Sequence, residues 1–106
     1  MAISRKVSPG YQNHLVNMLP TKTITVEIPA YRPDGGLARP WPADYSVCVS
    51  VEGDEVLIRA DKAGLRALAV HLLALAEPDV PTYYHAHLDP GEIDEDSLPL
   101  VLDHNA

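Results

Sequence analysis

Phenylalanine is absent, tryptophan and cysteine occur once each, and no lysine or arginine follows residue 66. Each shortage excludes something. Without Phe, the core must be assembled mainly from Leu, Val, Ile and Ala. A single cysteine, Cys48, permits no internal disulfide, which fits a reducing compartment and leads us to expect a cytoplasmic protein. No run approaches the roughly 20 apolar residues that span a bilayer. The opening "MAISRKVSPGYQNHL" lacks the apolar stretch of a signal peptide, so no membrane partner is expected.

The missing cations matter most. The net charge is −7 over 106 residues, and it is unevenly spread. Residues 1–66 carry all eight Lys and Arg against seven acids. Residues 67–106 carry Glu77, Asp79, Asp89, Glu92, Asp94, Glu95, Asp96 and Asp103 with no balancing cation. Such a field repels phosphate backbones and attracts basic protein surfaces. Nucleic acid is therefore not an expected partner; a protein with a basic surface is. A purely solubilising role for the acids is the plain alternative.

Recognisable catalytic signatures are also missing. The chain has no phosphate-cradling glycine loop, no dinucleotide fingerprint, no HExxH and no nucleophile beside a base. "DPGEIDED" lacks the spacing and final Glu of a calcium loop. Cys48 has no base or cationic neighbour in sequence to activate it. No cofactor is expected.

What is present is patterning suited to one small domain. Residues 1–21 show no period and read as a loosely held arm; residues 22–106 read as a single domain. "KTITVEI", residues 22–28, alternates as a half-buried strand ended by Pro29. Residues 29–43 hold four prolines and two glycines and form a loop. Within it, Trp41 is expected to plug the core edge. "YSVCVSV" and "VLIR", around Gly53-Asp54, predict a hairpin over 45–59 with Cys48 opposite the valines. Asp61 reads as the N-cap of a helix over about 61–77, stopped by Pro78. Leu65, Leu68, Ala69, Leu72, Leu75 and Ala76 form its expected buried stripe, placing His71 at the boundary or outside. Two further strands follow, at 82–89 and within "LPLVLD". The expected fold class is α+β, in the order β-β-β-α-β-β. A mostly antiparallel four- to five-stranded sheet would carry the helix on one face.

The stretch "YYHAHLD", residues 83–89, holds the candidate site. Alternation puts Tyr84, Ala86 and Leu88 on one face and Tyr83, His85, His87 and Asp89 on the other. The polar row, with Glu92, Asp94, Glu95 and Asp96 beyond it, is the expected partner-binding surface. An alternative is a metal-binding module or metal-dependent enzyme using His85, His87 and Asp89, since two histidines two apart on a strand suit one ion. A generic adaptor or homodimer is a further alternative.

"GDEVLIRADKAGLRALAVHLLALAE", then "YHAHLD", an acidic loop and "LPLVLD" together resemble the immunity protein 32 family of bacterial polymorphic toxin systems, over about residues 52–103. The resemblance implies a non-enzymatic protein that neutralises a cognate toxin by stoichiometric occlusion. It carries no catalytic residues, and leaves His85, His87 and Asp89 as contact or structural groups.

Overall fold

The computed structural model describes residues 19–105. The expected arm, residues 1–21, lies outside these but for its last three residues. Among the described residues the architecture is one helix and two small antiparallel sheets of two strands each.

The first hairpin pairs β1, Val47–Glu52, with β2, Glu55–Ala60. Gly53 at φ 62° makes the turn, and Asp54 does not share the left-handed conformation. A single glycine at the first central position is the primed geometry whose twist matches paired strands. The register sets Val47 opposite Ala60, Val49 opposite Ile58 and Val51 opposite Val56. These six side chains therefore share one apolar face. Cys48 pairs with Arg59 on the other face.

The helix α1 spans Lys62–Leu75, and Asp61 caps it as expected. One carboxylate oxygen of Asp61 accepts from Gly64 N at 2.7 Å and from Ser46 N at 3.2 Å. The cap thus starts the helix and also ties it to the root of the hairpin. Gly64 is needed there for closeness rather than conformation. A Cβ at that position would collide with Ser46 O and lie 2.9 Å from a Val47 methyl.

The second hairpin pairs β3, His85–Leu88, with β4, Leu100–Asp103. Leu88 stands opposite Leu100 and Ala86 opposite Leu102. Val47, Val49, Leu68, Leu88 and Ile93 form the core, with Trp41, Tyr45, Ala60, Leu100 and Leu102 packed against it. Burying one such aliphatic side chain contributes about 1.5–3 kcal/mol. No helix among the described residues is long and apolar enough to cross a membrane.

Three expectations need correction. Residues 22–28 do not form a strand: they have no strand pairing, and Ile24 is 71% exposed. The observed order is β-β-α-β-β, and the strands divide into two pairs instead of joining one four- to five-stranded sheet. The helix is also rolled. Its buried face is Gly64, Ala67, Leu68, His71, Ala74 and Leu75, while Leu65 and Leu72 are exposed. That face lies about 90° around the axis from the expected stripe. The leucine pattern assumed a single flat sheet beneath the helix. In the fold, the 37–42 loop packs on a flank of α1, so small residues and His71 face inward.

Candidate partner-binding surface

The acidic loop after β3 is built from short local bonds. The Asp89 carbonyl accepts from the N–H groups of Glu92 and Ile93, both at 3.0 Å. Gly91, at φ 106°, supplies the left-handed residue this tight path requires. Ile93 enters the core, so the charged residues on either side are fixed relative to the hairpin.

The loop then takes the place of a third strand along β1. Asp94 N donates to Val47 O at 2.9 Å, and Val47 N donates to the Asp94 carboxylate at 3.1 Å. Ser46 Oγ donates to the other carboxylate oxygen at 2.7 Å. Two residues along, Val49 N donates to Ser97 Oγ and Leu98 N donates to Val49 O, both at 2.8 Å. An open strand edge presents unpaired N–H and C=O groups. Here the outward groups of Val47 and Val49 are satisfied by the loop.

Glu92 reaches the other way, to the proline-rich loop. Arg39 grips it through Nε at 2.8 Å and a terminal nitrogen at 3.1 Å, and Trp41 Nε1 donates to it at 2.8 Å. The Tyr45 hydroxyl donates to the Glu92 carbonyl. The Arg39 hydrogen bond, supported by Trp41, holds the Glu92 carboxyl below the usual carboxylate range. Trp41 stacks on Tyr45, with centroids 4.5 Å apart and an 11° tilt, and meets His71 edge-on. His71 is 5% exposed. Its Nε2 lies 3.0 Å from Pro40 O; a carbonyl only accepts, so Nε2 carries the proton. Burial pushes the His71 imidazole below its ordinary range, favouring the neutral form. Trp41 thus plugs the core edge, with His71 beneath it.

The proposed contact residues therefore fall into two groups. Glu92 and Asp94 are half-buried and engaged within the fold. Asp89, Glu95 and Asp96 are exposed. His85 and His87 are exposed on the outer face of β3, while Leu88 is buried and Ala86 half-buried. The imidazole centroids lie 5.0 Å apart, nearly perpendicular. His85 Nδ1 donates to Tyr83 O at 3.1 Å. Across the ladder, Asp103 faces His85 and Val101 faces His87. An exposed row of two imidazoles flanked by Asp103 and Asp89 is the most chemically distinctive part of this sheet.

Three ligand-type side chains whose atoms lie within 4.8 Å of one another are found, among the described residues, at Cys48, Asp94 and Asp96, not at His85, His87 and Asp89. Asp94 is already engaged by Val47 and Ser46. Burial and the neighbouring Asp96 and Asp94 push the Cys48 thiol up, which opposes the thiolate needed for nucleophilic attack or ligation.

Sequence reasoning did not identify Arg39, Tyr45, His71 and Ser97 as the groups that orient this loop. Trp41 between two prolines was the one local signal; the rest depend on contacts across 31–53 positions.

Residues 55–105 match the family model described as immunity protein 32. No curated protein and no solved structure matches the chain significantly.

Proposed function

Because residues 55–105 match the immunity protein 32 family model, we propose that this protein is a cytoplasmic immunity protein that neutralises a cognate toxin by stoichiometric occlusion. The observation that carries the reading is the charge of the matched stretch. All eight acids after residue 66 fall within it, and the whole stretch sets ten acids against only Arg59, Lys62 and Arg66, which all lie before residue 67. The contact surface is the outer row of His85, His87 and Asp89 together with Glu95 and Asp96. Glu92 and Asp94 act behind it, holding the loop so that its free carboxylates are presented on a fixed backbone. A basic toxin surface would meet these groups by charge complementarity, which raises association rate more than it lengthens residence.

The test is to mix the full chain with the toxin domain encoded beside its gene and measure binding by titration calorimetry at low salt. A one-to-one complex that also abolishes toxin activity is expected, weakening as salt rises. Absence of a complex at micromolar concentration would sink the proposal.

A further inference from the structure

The two edges of the first hairpin are treated differently. The β1 edge is closed by the acidic loop at Val47 and Val49. The β2 edge has no strand beside it among the described residues. The register points the backbone groups of Val56, Ile58 and Ala60 outward from the hairpin, because Glu55, Leu57 and Arg59 lie in the alternate pairs that face β1. Two apolar side chains of this edge are uncovered: Val56 is 71% exposed and Ile58 43%. An edge of this kind is a template for another strand.

The same chain carries a strand without a sheet. Residues 22–28, "KTITVEI", alternate β-branched residues, run with no strand pairing and expose Ile24 and Val26. No proline interrupts the stretch before Pro29. Donor and acceptor match in period and in length.

We infer that the β2 edge accepts residues 22–28 of a second copy of this chain, in parallel register, to make a reciprocal dimer. Setting Ile24 beside Val56 and Val26 beside Ile58 continues the apolar face of the hairpin. The same register brings Lys22 to Asp54 and Glu27 opposite Arg59. Two antiparallel registers are poorer. Pairing Val26 with Val56 sets Glu27 against Glu55, and pairing Val26 with Ile58 directs Lys22 toward Lys62. Charge complementarity thus favours the parallel register over these two. Each copy offers one donor and one acceptor, so two equivalent contacts close around a twofold axis. The dimer leaves the β3 face and the acidic loop free, and does not depend on the toxin reading.

Disulfide trapping tests the contact. Full-length chains carrying Cys48→Ser are prepared with either Val26→Cys or Ile58→Cys, then mixed and oxidised. Each chain holds one thiol, so any covalent dimer joins two copies, and a mixed product that outweighs both like-with-like dimers is expected if the segment crosses between copies. Sedimentation of the unmodified chain should show a dimer. Reversing the donor charges with Lys22→Glu and Glu27→Arg should weaken it about tenfold, and adding Asp54→Lys and Arg59→Glu should restore it. These positions are exposed, so circular dichroism should be unchanged. No mixed dimer from the single-thiol chains would overturn the inference. So would an internal disulfide in a chain bearing both cysteines, which would mean the strand adds within one copy. A monomer that loses toxin binding on Ile58→Lys would assign the edge to the toxin instead and equally overturn it.

Discussion

Within one short loop, acids only a few positions apart do opposite work. Glu92 and Asp94 turn inward: one is gripped by Arg39 and Trp41, the other by Val47 N and Ser46 Oγ. Asp89, Glu95 and Asp96 turn outward and are exposed. The contrast shows why a charge count does not define an interface. A carboxylate that accepts several protein hydrogen bonds is part of the scaffold, and its charge is largely spent on local donors. A neighbouring carboxylate with water around it keeps its charge for a partner.

The comparison can be broken most severely at Asp94. Asp94→Ala leaves Val47 N and Ser46 Oγ without their acceptor at the edge of the core. We expect a loss of about 2–3 kcal/mol, read as a lower denaturant midpoint with an unchanged slope. An unchanged midpoint would mean the loop does not hold the β1 edge.

Glu92 should rank next. Glu92→Gln keeps the shape but removes the charge that Arg39 grips, at a cost of about 1–2 kcal/mol. Its dependence on pH sharpens the point. The folded Glu92 carboxyl sits below its ordinary range, so its contribution is present above that range and fades as pH falls toward the depressed value. His71 is lowered as well, chiefly by burial. Below the ordinary histidine range the unfolded chain takes up a proton that the folded chain resists, and this also destabilises the fold on acidification. Melting temperature should therefore decline in two stages, first through the histidine range and then through the carboxylate range. His71→Asn should flatten the first stage and Glu92→Gln the second. A flat profile in both ranges for the unmodified chain would contradict the burial of His71 and the grip of Arg39 on Glu92.

The outward acids should give the smallest stability effect. Glu95→Lys with Asp96→Lys should move stability by no more than about 0.5 kcal/mol, yet slow association with the toxin measurably at low salt. Equal association rates for this variant and the unmodified chain would remove these two residues from the interface.

Much of the local structure was legible because it depends on near neighbours. Asp61 as the N-cap, the Gly53 turn, the alternation of Val47 and Val49, and the outward row of His85 and His87 all follow from contacts within a few residues. The family resemblance was legible from the pattern "ADKAGLRALA" with "HAHLD", and the matched range of 55–105 agrees with it. Other features were not. Leu65 and Leu72 gave the stronger helical stripe, but the loop bearing Trp41 and Pro40 selects the face that holds His71. Glu92 and Asp94 looked like their exposed neighbours because nothing local distinguishes a carboxylate that will meet Arg39 or Val47 from one that will meet water.

Composition and local periodicity alone determined the acidic second half, the absence of an internal disulfide, the capped helix and the first hairpin, since each rests on counting or on bonds between nearby residues. Only the tertiary structure decided that the strands form two pairs, that β1 is closed by a loop while β2 is left open, and which acids are anchored. Those outcomes depend on donors and acceptors brought together from about half a chain length apart, and hydrogen-bond geometry at that range is set by packing rather than by spacing.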